Sequence, residues 1–171
     1  SSTGKILRLT ETGGVPSDNP FVNQSGVQPE IFSYGHRNAQ AVVYDPQSNR
    51  IYAHEHGPRG GDELNLMRPG VNYGWPAITY GIDYSGARIS PYSSLPGMEQ
   101  PLIYWDPSIA PSGMTLYQGG MFPEWQGDLF MTSLRFKNVY QVEMQDGQPG
   151  TQRTLFEDIN ERLRDIRTAP D

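Results

Sequence analysis

The sequence predicts an all-β protein assembled from repeated antiparallel sheets. Three observations carry that expectation. The chain offers about nine strand-like runs and a single stretch with helical spacing. Gly and Pro, 19 and 15 of 171 residues, are scattered through it and mark many turns. A unit of apolar strand, turn with Pro, Gly or acid, and second apolar strand recurs as AVVYDPQSNRIYAHEHG, as MTLYQGGMFPEWQGDLFMTSL and in part as RDIRTAPD. Its spacing is uneven. Units of this kind, with four antiparallel strands each, are how a β-propeller reads in sequence, and a β-sandwich is the other arrangement such strands build. The propeller is the preferred reading.

GKILRL enters a strand almost at once and stops at a Gly turn, and Pro16 and Pro20 break any regular element after it. PEIFSYG is a short strand. The segment from Ala39 to Tyr44, the Asp45-Pro46 turn and the segment from Ile51 to His54 form a hairpin. NYGWPAITYGIDYSGA is aromatic and Gly-rich without a period. PLIYWDP, SGMTLYQGG, GDLFMTSL and NVYQVEM read as strands, and QDGQPG turns into TQRTLFED. In FEDINERLRDI, Phe156, Ile159, Leu163 and Ile166 fall at helical spacing with Asp158 as a cap, whereas a strand would set Arg162 and Arg164 on one side and Leu163 on the other.

Composition narrows the function classes. A chain of 171 residues is long enough for one domain with a real core. The net charge of −6 argues against a nucleic-acid or membrane-surface role. No run approaches the roughly 20 apolar residues of a membrane span, and no signal stretch opens the chain. The absence of cysteine excludes disulfides and thiol chemistry. Both ends read as cut, so a fragment of a longer protein is expected over residues 1–171.

Chemistry concentrates in YAHEHGPRGGDELN, residues 52–65. Calcium takes six to eight oxygens, backbone carbonyls among them. Gly57-Pro58 and Gly60-Gly61-Asp62-Glu63 supply carboxylates beside a flexible backbone. The same residues also suit a polar, solvated hairpin loop. His54 and His56 would share a face of a strand and suit zinc, but no third ligand is evident. In YGHRNAQ, Arg37 and Asn38 suit an oxygen-rich anionic ligand, or a surface turn. Arg135, Lys137, Arg162, Arg164 and Arg167 form either a local anion pocket or a solvated basic face.

These motifs occur together in one order: YGHRNAQ, EHGPRGGDELN, NYGWPAITYGIDYSG, WDPSIAPSGMTLY, SLRFKNVYQV and RLRDIRTAPD. In that order the chain resembles the soluble, pyrroloquinoline quinone (PQQ)-dependent glucose/sorbosone dehydrogenase family, in its periplasmic aldose sugar dehydrogenase branch. The resemblance runs from about Gly4 to the end, and EHGPRGGDE followed by NYGWP is its most specific part.

The resemblance implies a six-bladed β-propeller with PQQ and Ca2+ near its axis. At roughly 40–50 residues per blade the chain would cover about three blades, the second half of that domain. It places Arg37 and Asn38 against the quinone. It makes Gly57 and Pro58 carbonyl donors to calcium and matches Glu63 and Tyr73 to calcium positions. Tyr84, the segment Ser133-Leu134-Arg135 and the segment Arg162-Leu163-Arg164 match cofactor contacts, and Trp105 lies near a position lining the sugar pocket. Arg162 and Arg164 would then project together toward the cofactor, which overrules a helix there. The family's general-base His falls outside this chain and matches none of its three His. An aldose substrate, an external electron acceptor, a periplasmic or secreted setting and a monomer or dimer are further implications. A propeller binding module without quinone, and a calcium-dependent lactonase-type propeller, are the alternatives.

Overall fold

The computed structural model describes residues 1–169. Its ten strands form three antiparallel sheets. The first pairs β1 (Lys5–Leu7) with β2 (Ile31–Tyr34). The second orders β3 (Ala39–Asp45), β4 (Arg50–Glu55), β5 (Asp62–Met67) and β6 (Ile103–Trp105). The third orders β7 (Pro111–Leu116), β8 (Leu129–Ser133), β9 (Val139–Gln145) and β10 (Gln148–Leu155). In both four-stranded sheets the strands lie in chain order, each joined to the next as a meander. The first strands of the two sheets, β3 and β7, pack against each other. This is the arrangement of successive propeller blades, two complete and one half, where roughly three were expected.

Alternation along the strands builds the core. In β4, Tyr52 faces the third sheet and packs with Leu64, Met114, Leu129, Met131 and Val142. The next residue, Ala53, faces the half blade and packs with Phe32, Met67 and Tyr73. Successive side chains on a strand point to opposite faces, so the middle sheet is covered on both sides. That explains why DELNLM, β5, has no amphipathic pattern and was not recognisable as a strand. Its Leu64 is fully buried, and so are its polar Asp62 and Asn65. At the β9–β10 hairpin, Asp146 and Gly147 both take positive φ, 50° and 79°, as a two-residue Asp-Gly turn requires.

The helical spacing over 156–166 builds no helix, as the resemblance implied. Phe156 and Asn160 take positive φ, 60° and 53°, which a right-handed helix does not accommodate. Residues 161–169 join no sheet and run beside β7, held by side chains. Ser112 Oγ donates to the Leu163 carbonyl at 2.8 Å, and Thr115 and Thr168 hydroxyls meet at 3.0 Å. Leu163 and Ile166 are partly covered, while Arg162 and Arg164 are exposed on the other side. Pro170 and Asp171, which end the RDIRTAPD stretch, lie outside the described residues. Among the described residues no helix is long and apolar enough to cross a membrane.

Leu64 packs between the two four-stranded sheets with no exposed surface. Leu64→Ala is expected to lower unfolding free energy by about 2–5 kcal/mol, read from the urea midpoint.

Candidate active site

The strand registers bring five connections to one end of the stacked sheets. Ala39 pairs with Glu55, Glu55 with Glu63, and Asp62 with Trp105. In the third sheet Pro111 pairs with Ser133, and Thr132 and Leu155 both pair with Val139. The β2–β3 turn, the β4–β5 loop, the β6–β7 loop, the β8–β9 turn and the segment after β10 therefore share this end.

The β4–β5 loop is folded tightly on itself. A side chain at Gly57 would collide with the Gly60 and Gly61 carbonyls. The Asp62 carboxylate fixes the loop, accepting from the Gly57 N–H at 2.9 Å, the Ser108 hydroxyl at 3.0 Å and the Ala110 N–H at 2.7 Å. The long connection from Arg68 to Leu102 climbs back to this end and is tied on by paired bonds between Arg59 and Ile82, 2.9 and 3.0 Å.

One cleft is lined by Arg37, Gly57, Pro58, Glu63 and Tyr73, so the residue matched to the quinone and all four matched to calcium meet there. Glu55 and Trp75, which the sequence did not single out, line it too, as does His56, weighed above only as a zinc ligand. The Arg37 guanidinium lies 5.3 Å over the Trp75 ring and donates to the His56 carbonyl at 3.1 Å. Asn38 donates from its backbone to Glu55 at 3.3 Å, and its side-chain oxygen accepts from Gln40 at 3.0 Å. The Tyr73 hydroxyl donates to the Leu66 carbonyl at 2.6 Å and accepts from the Arg68 N–H at 2.9 Å, so only its ring and backbone are open to the cleft. Burial pushes that phenol up to about 12.

A neighbouring cleft holds Tyr84 and Arg135 and shares His56, Gly57 and Pro58 with the first. Tyr84 is 71% exposed there. Arg135 donates to the Ser108 carbonyl at 3.1 Å. Ser133 is fully buried and its hydroxyl is taken by the Ile109 carbonyl, 2.6 Å, and the Phe136 N–H, 2.9 Å, so it shapes the turn. The Leu134 N–H donates to the Ala110 carbonyl at 3.0 Å. Arg162 and Arg164 border neither cleft; the contact running toward them is His56 to the Pro111 carbonyl, 2.6 Å, and Ser112 to Leu163. Trp105 is not brought to the clefts. It is 8% exposed in the core with its indole N–H on Gln152 at 3.0 Å, and the adjacent Tyr104, stacked on Tyr80 with centroids 3.8 Å apart, is the exposed aromatic.

The histidines do not form a zinc site. His54 is fully buried, neither ring nitrogen has a hydrogen-bond partner, and burial holds its pKa near 4. His56 spends its Nε2 on Pro111. Among the described residues no group of three or more His, Cys, Asp and Glu side chains is placed to hold a metal.

Two carboxylates, Glu55 and Glu63, nevertheless pair across the β4–β5 ladder, and Asp62 precedes Glu63 in the chain. Asp62 and Glu55 are satisfied by backbone N–H groups. Glu63 has the Asn65 amide, 3.2 Å away, and the Glu55 carboxyl beside it, but no backbone donor. Burial, then the charge of Glu55, raises the Glu63 pKa to about 8. A hard cation held by one carboxylate and main-chain carbonyls fits this donor set, and it needs no cluster of three side chains.

The profile of the Glucose / Sorbosone dehydrogenase family matches residues 1–171. The chain belongs to the glucose/sorbosone dehydrogenase family. Among members of this family, it is 45% identical over 170 residues to aldose sugar dehydrogenase YliI of Escherichia coli (strain K12), covering 98% of this chain and 46% of that one. A crystal structure of a glucose dehydrogenase superposes with TM-score 0.94 at 47% identity, over 98% of this chain and 49% of that chain. The PQQ-bound aldose sugar dehydrogenase of Streptomyces coelicolor superposes with TM-score 0.71 at 30% identity, over 95% and 42%. The chain thus spans about half the length of these dehydrogenases, and its sheets are β-propeller blades.

A carboxyl whose pKa rises from 4.5 to about 8 on folding keeps its proton only in the folded state across that interval. Folding stability from this group therefore declines as pH climbs through it. His54 acts in the opposite sense, but only below 6.5. In chelator-treated protein the melting temperature is expected to fall between pH 6.5 and 8, and Glu63→Gln to remove that fall, as read by circular dichroism.

Proposed function

We propose that this chain is the second-half portion of a six-bladed, PQQ- and calcium-dependent aldose sugar dehydrogenase that oxidises the C1 hydroxyl of its substrate to a lactone. The observation that carries the reading is the Glu63 carboxyl: half-buried, beside a second carboxylate, without a backbone donor, and in one cleft with Gly57, Pro58 and Arg37. Glu63 and the Gly57 and Pro58 carbonyls, with Tyr73 beside them, would hold the calcium. Arg37, Asn38, Tyr84, Arg135, Arg162 and Arg164 would hold the quinone.

When bound, PQQ supplies an ortho-quinone that accepts hydride, and calcium supplies a Lewis acid beside it. The chain's own residues orient and neutralise. Arg135, Arg162 and Arg164, all exposed, would offer planar forks of donors to the cofactor's three carboxylates. Arg37, held by Trp75 and the His56 carbonyl, would supply positive charge beside a bound quinone. His36 and His54 are buried and His56 is bonded through Nε2, which supports the reading that the substrate proton would go to a base outside the chain. An external acceptor would take the electrons, and a periplasmic or secreted setting fits the family's aldose branch.

Adding PQQ with calcium is expected to give saturable quinone absorbance and tryptophan quenching, abolished by chelator. Arg135→Ala or Arg164→Ala should each weaken this binding about tenfold to a hundredfold, the worth of one charge-assisted bond. Absence of any calcium-dependent binding would overturn the reading. The 171-residue chain by itself is expected not to oxidise glucose in a dye-coupled assay, because it lacks the base. Brisk turnover would refute that assignment.

A further inference from the structure

Glu55 is 5% exposed, and its carboxylate faces three different parts of the site. One oxygen accepts from the Arg37 N–H at 2.8 Å and the Asn38 N–H at 3.3 Å. The other lies 3.6 Å from His36 Nδ1. His36 is itself immobilised, 2.8 Å from the Ser33 hydroxyl through Nε2 and stacked on Tyr73 with centroids 4.8 Å apart. Across the β4–β5 ladder Glu55 pairs with Glu63. The backbone returns on this grip, because the His56 N–H donates to the Asn38 carbonyl at 3.0 Å.

From this geometry we infer that Glu55 is the positioning residue of the site, a buried anion that clamps the Arg37-Asn38 peptide groups and so aims both side chains at the quinone. The inference rests on the cofactor reading above for what Arg37 and Asn38 are aimed at, and on geometry alone for the clamp. The two N–H groups have no helix or ladder partner to fall back on, since Arg37 and Asn38 lie before β3 begins. Without an acceptor, two part-buried bonds would be lost, and the turn would rearrange to give both N–H groups to water. Arg37 would then lose its seat over Trp75. A carboxylate acceptor strengthens such bonds over amide–amide ones, and the 2.8 Å bond to the Arg37 N–H has the short length expected of it. His36 and Ser33 hold the carboxylate in place from behind, as outer residues orient the ligands of many cofactor sites.

The test uses three variants. Glu55→Gln keeps an oxygen for both N–H groups and can turn its amide toward His36. Glu55→Asp keeps the charge but withdraws it by one methylene. Glu55→Ala removes the acceptor. Amide proton shifts of Arg37 and Asn38, recorded without quinone or calcium, report the clamp. Quinone binding by wild type, read as Trp75 quenching in the presence of calcium, reports the cofactor reading separately.

The expected result is a downfield pair of amides in wild type, lost in Glu55→Ala and Glu55→Asp and largely retained in Glu55→Gln. Quinone affinity should fall roughly 10–100-fold in Ala and Asp and only a few-fold in Gln. Unmoved amides in both Ala and Asp would overturn the clamp, whatever the quinone does. Moved amides with unchanged affinity would overturn the positioning role. If Ala does not fold, Asp against Gln decides by the same two readouts. Failure of wild type to bind quinone, with the amide pattern as expected, would sink the cofactor reading and leave the clamp standing.

Discussion

The Asp62 carboxylate is the constraint on which this end of the molecule depends. It gathers the N–H of Gly57, the hydroxyl of Ser108 and the N–H of Ala110 within 3.0 Å. Gly57 belongs to a loop of the second sheet, and Ser108 and Ala110 to the link into the third. One buried charge thus fastens two blades at the rim where the clefts open. Two hydrophobic layers fix the distance between sheets, but they are non-directional. Only a bond with direction can hold a carbonyl-lined loop at a defined height above them.

The neighbouring acids divide the remaining work. Glu55 is engaged by the β2–β3 turn and Glu63 by little besides an amide. A buried carboxylate without donors is costly unless it keeps its proton or meets a cation. Two of the three acids build shape, and the third is left for a ligand. Folding sets that division, since it comes from which N–H groups face inward. The chemical identity of the acids says nothing about it.

Much of the fold was legible. Ala39 to Tyr44 and Ile51 to His54 stood out as a hairpin because their faces differ, and the observed strands extend them by a residue or so. β5 was not legible, because a central strand between two packed neighbours shows no alternation, and Asp62, Glu63 and Asn65 make it look like a loop. FEDINERLRDI carried a helical pattern that left-handed residues at 156 and 160 contradict. The cleft itself was foreseeable only by resemblance. Glu55 sits 18 residues from Arg37, and nothing local in either segment announces the partnership. Trp105 looked like a pocket residue and is instead a core residue, since on a β-strand a shift of one position exchanges inside for outside.

The clefts are lined in part by Gly57 and Pro58, and the turns around them are set by N–H groups held by Glu55 and Asp62. Recognition of that kind does not depend on what side chain a position carries, so Arg59 at the exposed tip of the loop is free to drift. The burden moves to residues that have no side chain at all. Any carbon added at Gly57 strikes two carbonyls of its own loop, and one added at Gly61 comes within 2.6 Å of the Gly81 nitrogen. Sequence change in such a protein can gather in the outlying connections while the tight β4–β5 loop stays closed to revision.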